Sequence, residues 1–199
     1  LKKDPVFSGL VSRLEAYPLE SLESSESKLT FWINVYNILA AKMITDHYPL
    51  ESIKDVGSIF KSVWKRDAGK VGGKERTLND IEHEILRKMN EPRIHVAIVC
   101  ASVSCPDLRP EAFTVEKLND QLDDQMKKFL LSREKGMKLD EKTNKVYLSS
   151  IFKWFAEDFE SHGGVLKYIG QYVGPEERKV LGNSKIKISY LDYNWKING

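Results

Sequence analysis

A chain of 199 residues, 41% hydrophobic and 30% charged, is long enough to bury one substantial core and has the make-up of a single globular domain over residues 1–199. Its formal charge of +2, with 31 Lys and Arg interspersed among 29 Asp and Glu, leaves no basic stripe, which sets nucleic acid aside as a partner. No apolar run reaches membrane-spanning length. Two cysteines five positions apart form neither a disulfide framework nor a CxxC or Cys/His zinc spacing, so no metal or other cofactor is expected. The opening LKKDPVF lacks the apolar centre of a signal peptide, although an export signal already removed is compatible with it, and the compartment stays open.

From Asp4 to Tyr17, Val6, Leu10, Val11 and Leu14 recur at helical spacing, and Pro18 with the Ser- and Glu-rich run to Ser27 marks a loop. Ser27 or Thr30 can cap the strongest helix, LTFWINVYNILAAKMITDHY, which Pro49 stops. Its apolar residues run nearly all the way round, the pattern of a central helix. Asn34 and Asn37 interrupt that girdle on one face, either to brace a neighbouring loop or to serve a site. Ser58 to Thr77 is aromatic and glycine-rich, and GKVGGKERT reads as a hairpin around Gly72-Gly73.

Thr77 or Asn79 begins the helix LNDIEHEILRKM, with an apolar stripe of Leu78, Ile81, Ile85, Leu86 and Met89. Glu82 falls inside that stripe. Burying it unpartnered would cost several kcal/mol, so it must be paired, protonated or turned into a polar cavity. Asp80, His83 and Arg87 share the adjoining face at spacings of three and four. The run from Arg93 to Ala101, apolar on both alternating faces, predicts a central covered strand. Cys105-Pro106 at its mouth predicts a helical turn whose free N–H groups, with Arg109, favour thiolate at Cys105, while Cys100 reads as a small buried hydrophobe.

Downstream, Thr114 caps the amphipathic helix VEKLNDQLDDQMKKFLL, and MKLDEKTNKVYL reads as two short strands. Ser149 caps IFKWFAEDF, where Phe152, Phe155 and Phe159 suit a core and Trp154 and Asp158 pair on another side. Gly163-Gly164 ends that unit, two short helices follow, and KIKISYLDYNW closes the chain as a strand. The expected architecture is α+β: a mixed or antiparallel sheet, containing the strand from Arg93, the hairpins and the closing strand, packed on the Trp32 and Trp154 helices.

FWINVYN, TLNDIEHEILR, RIHVAIVCASVSCPDLRPEAF, LSSIFKWFAEDF and YLDYNWKIN occur in the order of the motifs of the family called domain of unknown function 547, which the chain resembles over nearly its whole length. The resemblance implies that Asn34, Asn37, Glu82, His83, Arg87, His95, Cys105, Pro106 and Arg109 occupy the family's motif positions. It carries no established reaction. The chain has Asn194 where the closing motif more usually carries Asp, and Ala101-Ser102 where a Gly is common.

The residues support a cysteine-dependent hydrolase or acyltransferase, papain-like in chemistry and acting on an unknown peptide, amide or small molecule. Cys105 is the nucleophile, His83 the base and Glu82 the less secure third member. Adjacent positions on one helix point about 100° apart, so Glu82 orients His83 only if the helix distorts there. Asn34, Asn37, Arg87 and Arg109 are the substrate-binding candidates. The same arginines and Asn34 would serve a binding module for an anionic or peptide ligand, with Cys105 incidental. A thiol-redox protein is a third reading, weakened by the missing CxxC.

Overall fold

In the computed structural model, which describes residues 4–58 and 61–198, α1 (Pro5–Glu15) starts on Asp4, whose carboxylate accepts the N–H groups of Val6 and Phe7. Ser24 caps α2 (Ser25–His47), earlier than the expected Ser27 or Thr30, by accepting the Ser27 N–H at 3.0 Å. The helix buries Leu29, Trp32, Ile33, Val35, Tyr36, Leu39, Ala40 and Met43, as its all-round apolar pattern requires. A hairpin of β1 (Asp67–Val71) and β2 (Lys74–Thr77) packs beside it. Its turn takes φ of 54° and 76° at Gly72 and Gly73, conformations that glycine adopts without strain. Ile59 and Phe60 of the preceding segment lie outside the described residues.

Thr77 and Asp80 cap each other reciprocally, at 3.0 and 3.1 Å, and start the next element. From Asp80 to Leu86 it is a π-helix, in which the Arg87 N–H reaches the Glu82 carbonyl five residues back, and it tightens to a 3₁₀ turn over Arg87–Met89. Such wide turns are rare and recur at functional sites.

The expected strand from Arg93 to Ala101 is corrected by the structure. Residues Ile94–Ala97 form one helical turn, α3, which Ile98 leaves in an extended conformation, and residues 98–100 belong to no strand. A short run apolar on every face fits a buried helix turn as well as a buried strand, and local geometry decides it. Asn90 turns the chain through φ 54°, the Glu91 carboxylate accepts the Arg93 N–H, and the N–H groups of Ile94, His95 and Val96 bond three residues back. Among the described residues no strand pairs with this segment; the Asn37 amide does, donating to the Ala97 carbonyl and accepting the Val99 N–H, both at 2.9 Å.

Helix α4 (Leu118–Leu131) follows, then β3 (Met137–Asp140), β4 (Lys145–Leu148), α5 (Ile151–Trp154), a 3₁₀ segment (Ala156–His162), α6 (Val165–Ile169), α7 (Pro175–Leu181) and β5 (Lys187–Tyr190). Strand β4 is antiparallel to β3 and parallel to β5, so the second sheet is mixed. The class is α+β. One apolar cluster surrounds α2 and the π-helix; the other gathers Met126, Phe129, Val146, Phe152, Phe159 and Ile169. No helix among the described residues is long and apolar enough to cross a membrane.

Candidate functional site

Residues 101–105 are folded by partners distant in sequence. Ala101 takes φ 54°, a conformation strained for a residue with a Cβ, and reverses the chain. Segment 102–104 then pairs with the C-terminal tail: Ser102 bridges Ile197, Val103 N–H donates to Lys196, and the Ser104 hydroxyl accepts the Asn194 N–H at 2.9 Å. The Cys105 N–H turns back to the Ser102 carbonyl, and residues 106–109 are not helical. The expected helix start at Pro106 is therefore absent.

The reversal brings the two thiols together. The Cys100 N–H lies 2.9 Å from Cys105 Sγ, and Cys100 Sγ contacts the Ser102 hydroxyl at 3.1 Å and the Tyr193 hydroxyl at 3.5 Å. A hydrogen bond from the Cys105 thiol, with further help from Ser102 and Tyr193, overcomes burial and brings Cys100 down to about 6. Burial first, and then the Cys100 hydrogen bond and charge, hold Cys105 well above the ordinary thiol value. This reverses the expected order of the two sulfurs. The helix start is missing, and Arg109 instead pairs with Asp124 and Glu111. Two sulfurs in contact titrate as a pair that gives up its first proton readily and its second with difficulty.

Both sulfurs line a cavity of about 90 Å³ with Tyr36, Glu82, His95, Pro106, Phe155 and a rim of Trp64, Trp154, Tyr193 and Trp195. Glu82 enters from the π-helix and is 5% exposed; its Oε2 accepts from the Tyr36 hydroxyl at 3.4 Å. Burial lifts it to about 7 against that hydrogen bond, so the carboxyl is partly protonated near neutral pH. His95 comes from α3, stacks on Phe155 with centroids 4.0 Å apart, and holds Asp158 Oδ2 through Nε2 at 2.7 Å. Its Nδ1 is buried and has no hydrogen-bond partner among the described residues. Burial outweighs Asp158 and lowers His95 below the usual histidine value, which keeps the ring neutral.

Asp158 is the hub behind this wall. Arg87 grips it through Nε at 2.7 Å and Nη2 at 2.6 Å, while Arg87 Nη1 lies 2.9 Å from His83 Nδ1. Although burial opposes it, the hydrogen bonds from His95 and Arg87 hold Asp158 well below the carboxylate range. His83 lines a separate surface depression with Arg87, Glu157 and Asp158. The structure thus brings Cys105, Glu82 and His95 to one cavity and leaves His83 outside it, separated by the Arg87–Asp158 pair. The expected antiparallel helix and strand that would have aimed His83 at Cys105 do not exist.

The four proposed substrate-binding side chains are not gathered. Asn34 makes a two-way hydrogen bond with the Phe113 backbone at 2.9 and 3.0 Å, and Asn37 braces Ala97 and Val99. Arg87 belongs to Asp158, and the terminal nitrogens of Arg109 belong to Asp124, Glu111 and α4. Sequence reasoning missed the roles of Asp158, Tyr36, Tyr193 and Cys100. The one available signal was an acid inside the aromatic run IFKWFAEDF.

The fold is thus a single α+β domain whose cavity is lined by a buried thiol pair, a carboxyl bonded to Tyr36 and an imidazole backed by Asp158. The chain matches the family "Protein of unknown function, DUF547" over residues 19–130, more than half its length, and it belongs to that family. No curated protein and no solved structure matches it. The matched segment holds Tyr36, Glu82, His95 and both cysteines, whereas Asp158 and the aromatic rim from Trp154 to Trp195 lie beyond it.

Proposed function

We propose that this protein is a cysteine-dependent hydrolase or acyltransferase in which Cys105 attacks the carbonyl of a peptide, amide or ester. The observation that carries the reading is His95: one ring nitrogen rests on Asp158 and the other is buried without a partner among the described residues, on the wall of the cavity that both sulfurs line. A thiol raised by burial needs a base at the moment of attack, and a neutral imidazole oriented by a carboxylate supplies it. In this reading the base is His95 rather than His83, which becomes the outer support of Arg87. Protonated Glu82 can donate to the developing oxyanion or the leaving group. The non-catalytic binding module draws less support, because Arg87 and Asn34 are already satisfied within the chain.

The charge distribution of the thiol pair favours a second nucleophile, Cys100. Acyl transfer from 4-nitrophenyl acetate separates the possibilities. The expected result is a stoichiometric burst of nitrophenolate with the acetyl group mapped by mass spectrometry to Cys105, abolished in Cys105→Ala and slowed about 10²-fold or more in His95→Ala. Acetyl on Cys100 would move the nucleophile within the pair. Loss of the burst in His83→Ala alone would return the base to the π-helix, and a wild-type rate matching Cys105→Ala/Cys100→Ala would leave the binding module.

A further inference from the structure

The two cysteines are those of the whole sequence, and both stand free in one cavity. The Tyr193 hydroxyl lies 3.5 Å from Cys100 Sγ, and the Cys100 N–H points at Cys105 Sγ from 2.9 Å. Nothing in acyl transfer calls for a second thiol there, because a hydrolase needs one nucleophile and its base. We infer that Cys100 and Cys105 form a peroxide-oxidisable dithiol that closes reversibly to a disulfide inside the cavity. The inference is independent of the proposed acyl chemistry.

The step balances with a hydroperoxide as the oxidant. Thiolate at Cys100 attacks one peroxide oxygen; the S–O bond forms, the O–O bond breaks, and water leaves after taking up a proton. The Cys105 sulfur then attacks Cys100 sulfenic acid, the S–S bond forms, the S–O bond breaks, and the departing hydroxide takes the Cys105 proton as a second water. The peroxide is reduced by two electrons, and the dithiol is oxidised by two.

Geometry supports each partner's role. Cys100 is the sulfur surrounded by donors, the Ser102 and Tyr193 hydroxyls, which stabilise thiolate. Cys105 is already folded back against it through the reversal at Ala101, with its sulfur 2.9 Å from the Cys100 N–H, so the resolving thiol needs a small approach and no unfolding. A cavity of about 90 Å³ admits hydrogen peroxide, since a water molecule occupies roughly 30 Å³ in the liquid. The strained Ala101 lies within the ring that the disulfide would close, which favours a bond that reductants reopen.

The test uses the full reduced chain exposed to hydrogen peroxide, then denatured, alkylated and weighed intact. The expected product is lighter by two hydrogen atoms, has lost both alkylatable thiols, stays monomeric, and regains both thiols on treatment with dithiothreitol. Cys100→Ser and Cys105→Ser should gain oxygen on the remaining sulfur in place of the mass loss. Survival of both wild-type thiols, oxygen added to one sulfur with the other still free, or disulfide-linked dimers would each overturn the inference. The wild-type mass decides it even if a variant fails to fold.

Discussion

His95 Nε2 and Asp158 Oδ2 stand 2.7 Å apart although 63 residues separate them in the chain, and the same carboxylate is gripped from the other side by Arg87. One acid therefore serves two donors, a neutral imidazole and a guanidinium. It fixes the ring orientation of His95 and joins the π-helix to the segment after α5. Replacing it with Asn keeps the shape but removes the charge, and should lower urea-unfolding stability at pH 7 by about 1–3 kcal/mol.

The same pair sets an acid limit. Asp158 is held below its unfolded value, so the unfolded chain binds the extra proton and stability contributed by Asp158 is complete above about pH 4 and is lost as pH falls further toward the folded value. The difference in urea midpoint between wild type and Asp158→Asn should thus be constant from pH 5 to neutrality and shrink below about pH 4. A difference unchanged into the acid range would refute it.

Glu82 behaves in the opposite sense. Its folded value, raised from 4.5 to about 7, means that the folded chain keeps a proton the unfolded chain has lost, so its penalty is absent at acid pH and grows as pH rises from about 4.5 to 7. Glu82→Gln should match wild type near pH 4 and exceed it above pH 7 by about 3 kcal/mol, the free energy of that shift. Glu84→Ala, at an exposed residue paired with Lys88, should stay within about 0.5 kcal/mol of wild type throughout. Parallel pH profiles for all three chains would show that Glu82 is ionised in the fold.

Asn37 and Asn34 rank in stability by what each would leave unpaired. Asn37→Ala orphans the Ala97 carbonyl and the Val99 N–H, both buried, at about 1–3 kcal/mol each. Asn34→Ala opens the Phe113 backbone, where burial is partial, and should cost less. Urea midpoints that place Asn34→Ala at or beyond Asn37→Ala would contradict the bracing role.

Tyr193→Phe removes one hydroxyl from the thiol pair with little change in volume. Iodoacetamide alkylation of wild type should rise through a midpoint near 6, assigned to Cys100, and the variant's midpoint should move upward toward the ordinary thiol value of about 8.5. An unmoved profile would remove Tyr193 from the pair's electrostatics.

The elements with local causes were legible in the chain. The girdle of α2, the Gly72-Gly73 hairpin, the β3–β4 pair and the stop at Gly163-Gly164 all follow from periodicity or turn chemistry. The buried Glu82 was legible too, because a lone carboxyl on an apolar stripe is conspicuous under any helical phase. What failed were places where a distant partner overrode local preference: Asn37 in place of a strand beside Val99, and the tail at Asn194–Ile197 in place of a helix after Cys105. The expectation that His83, and not His95, shares a cavity with Cys105 followed from that error. An extended Arg93–Ala101 would have carried His95 far from Cys105, and the reversal at Ala101 removes that distance.

The Tyr193 hydroxyl that touches Cys100 is made 93 residues later in synthesis, and the tail that bridges Ser102 later still. At roughly 5–20 residues per second, a growing chain spends several seconds with its thiols made but not yet roofed by phenol and indole. During that interval Cys100 lacks the hydroxyl that favours its ionisation, so this sulfur is less reactive when most exposed. For Cys100, ionisation and enclosure arrive together, from the same late segment.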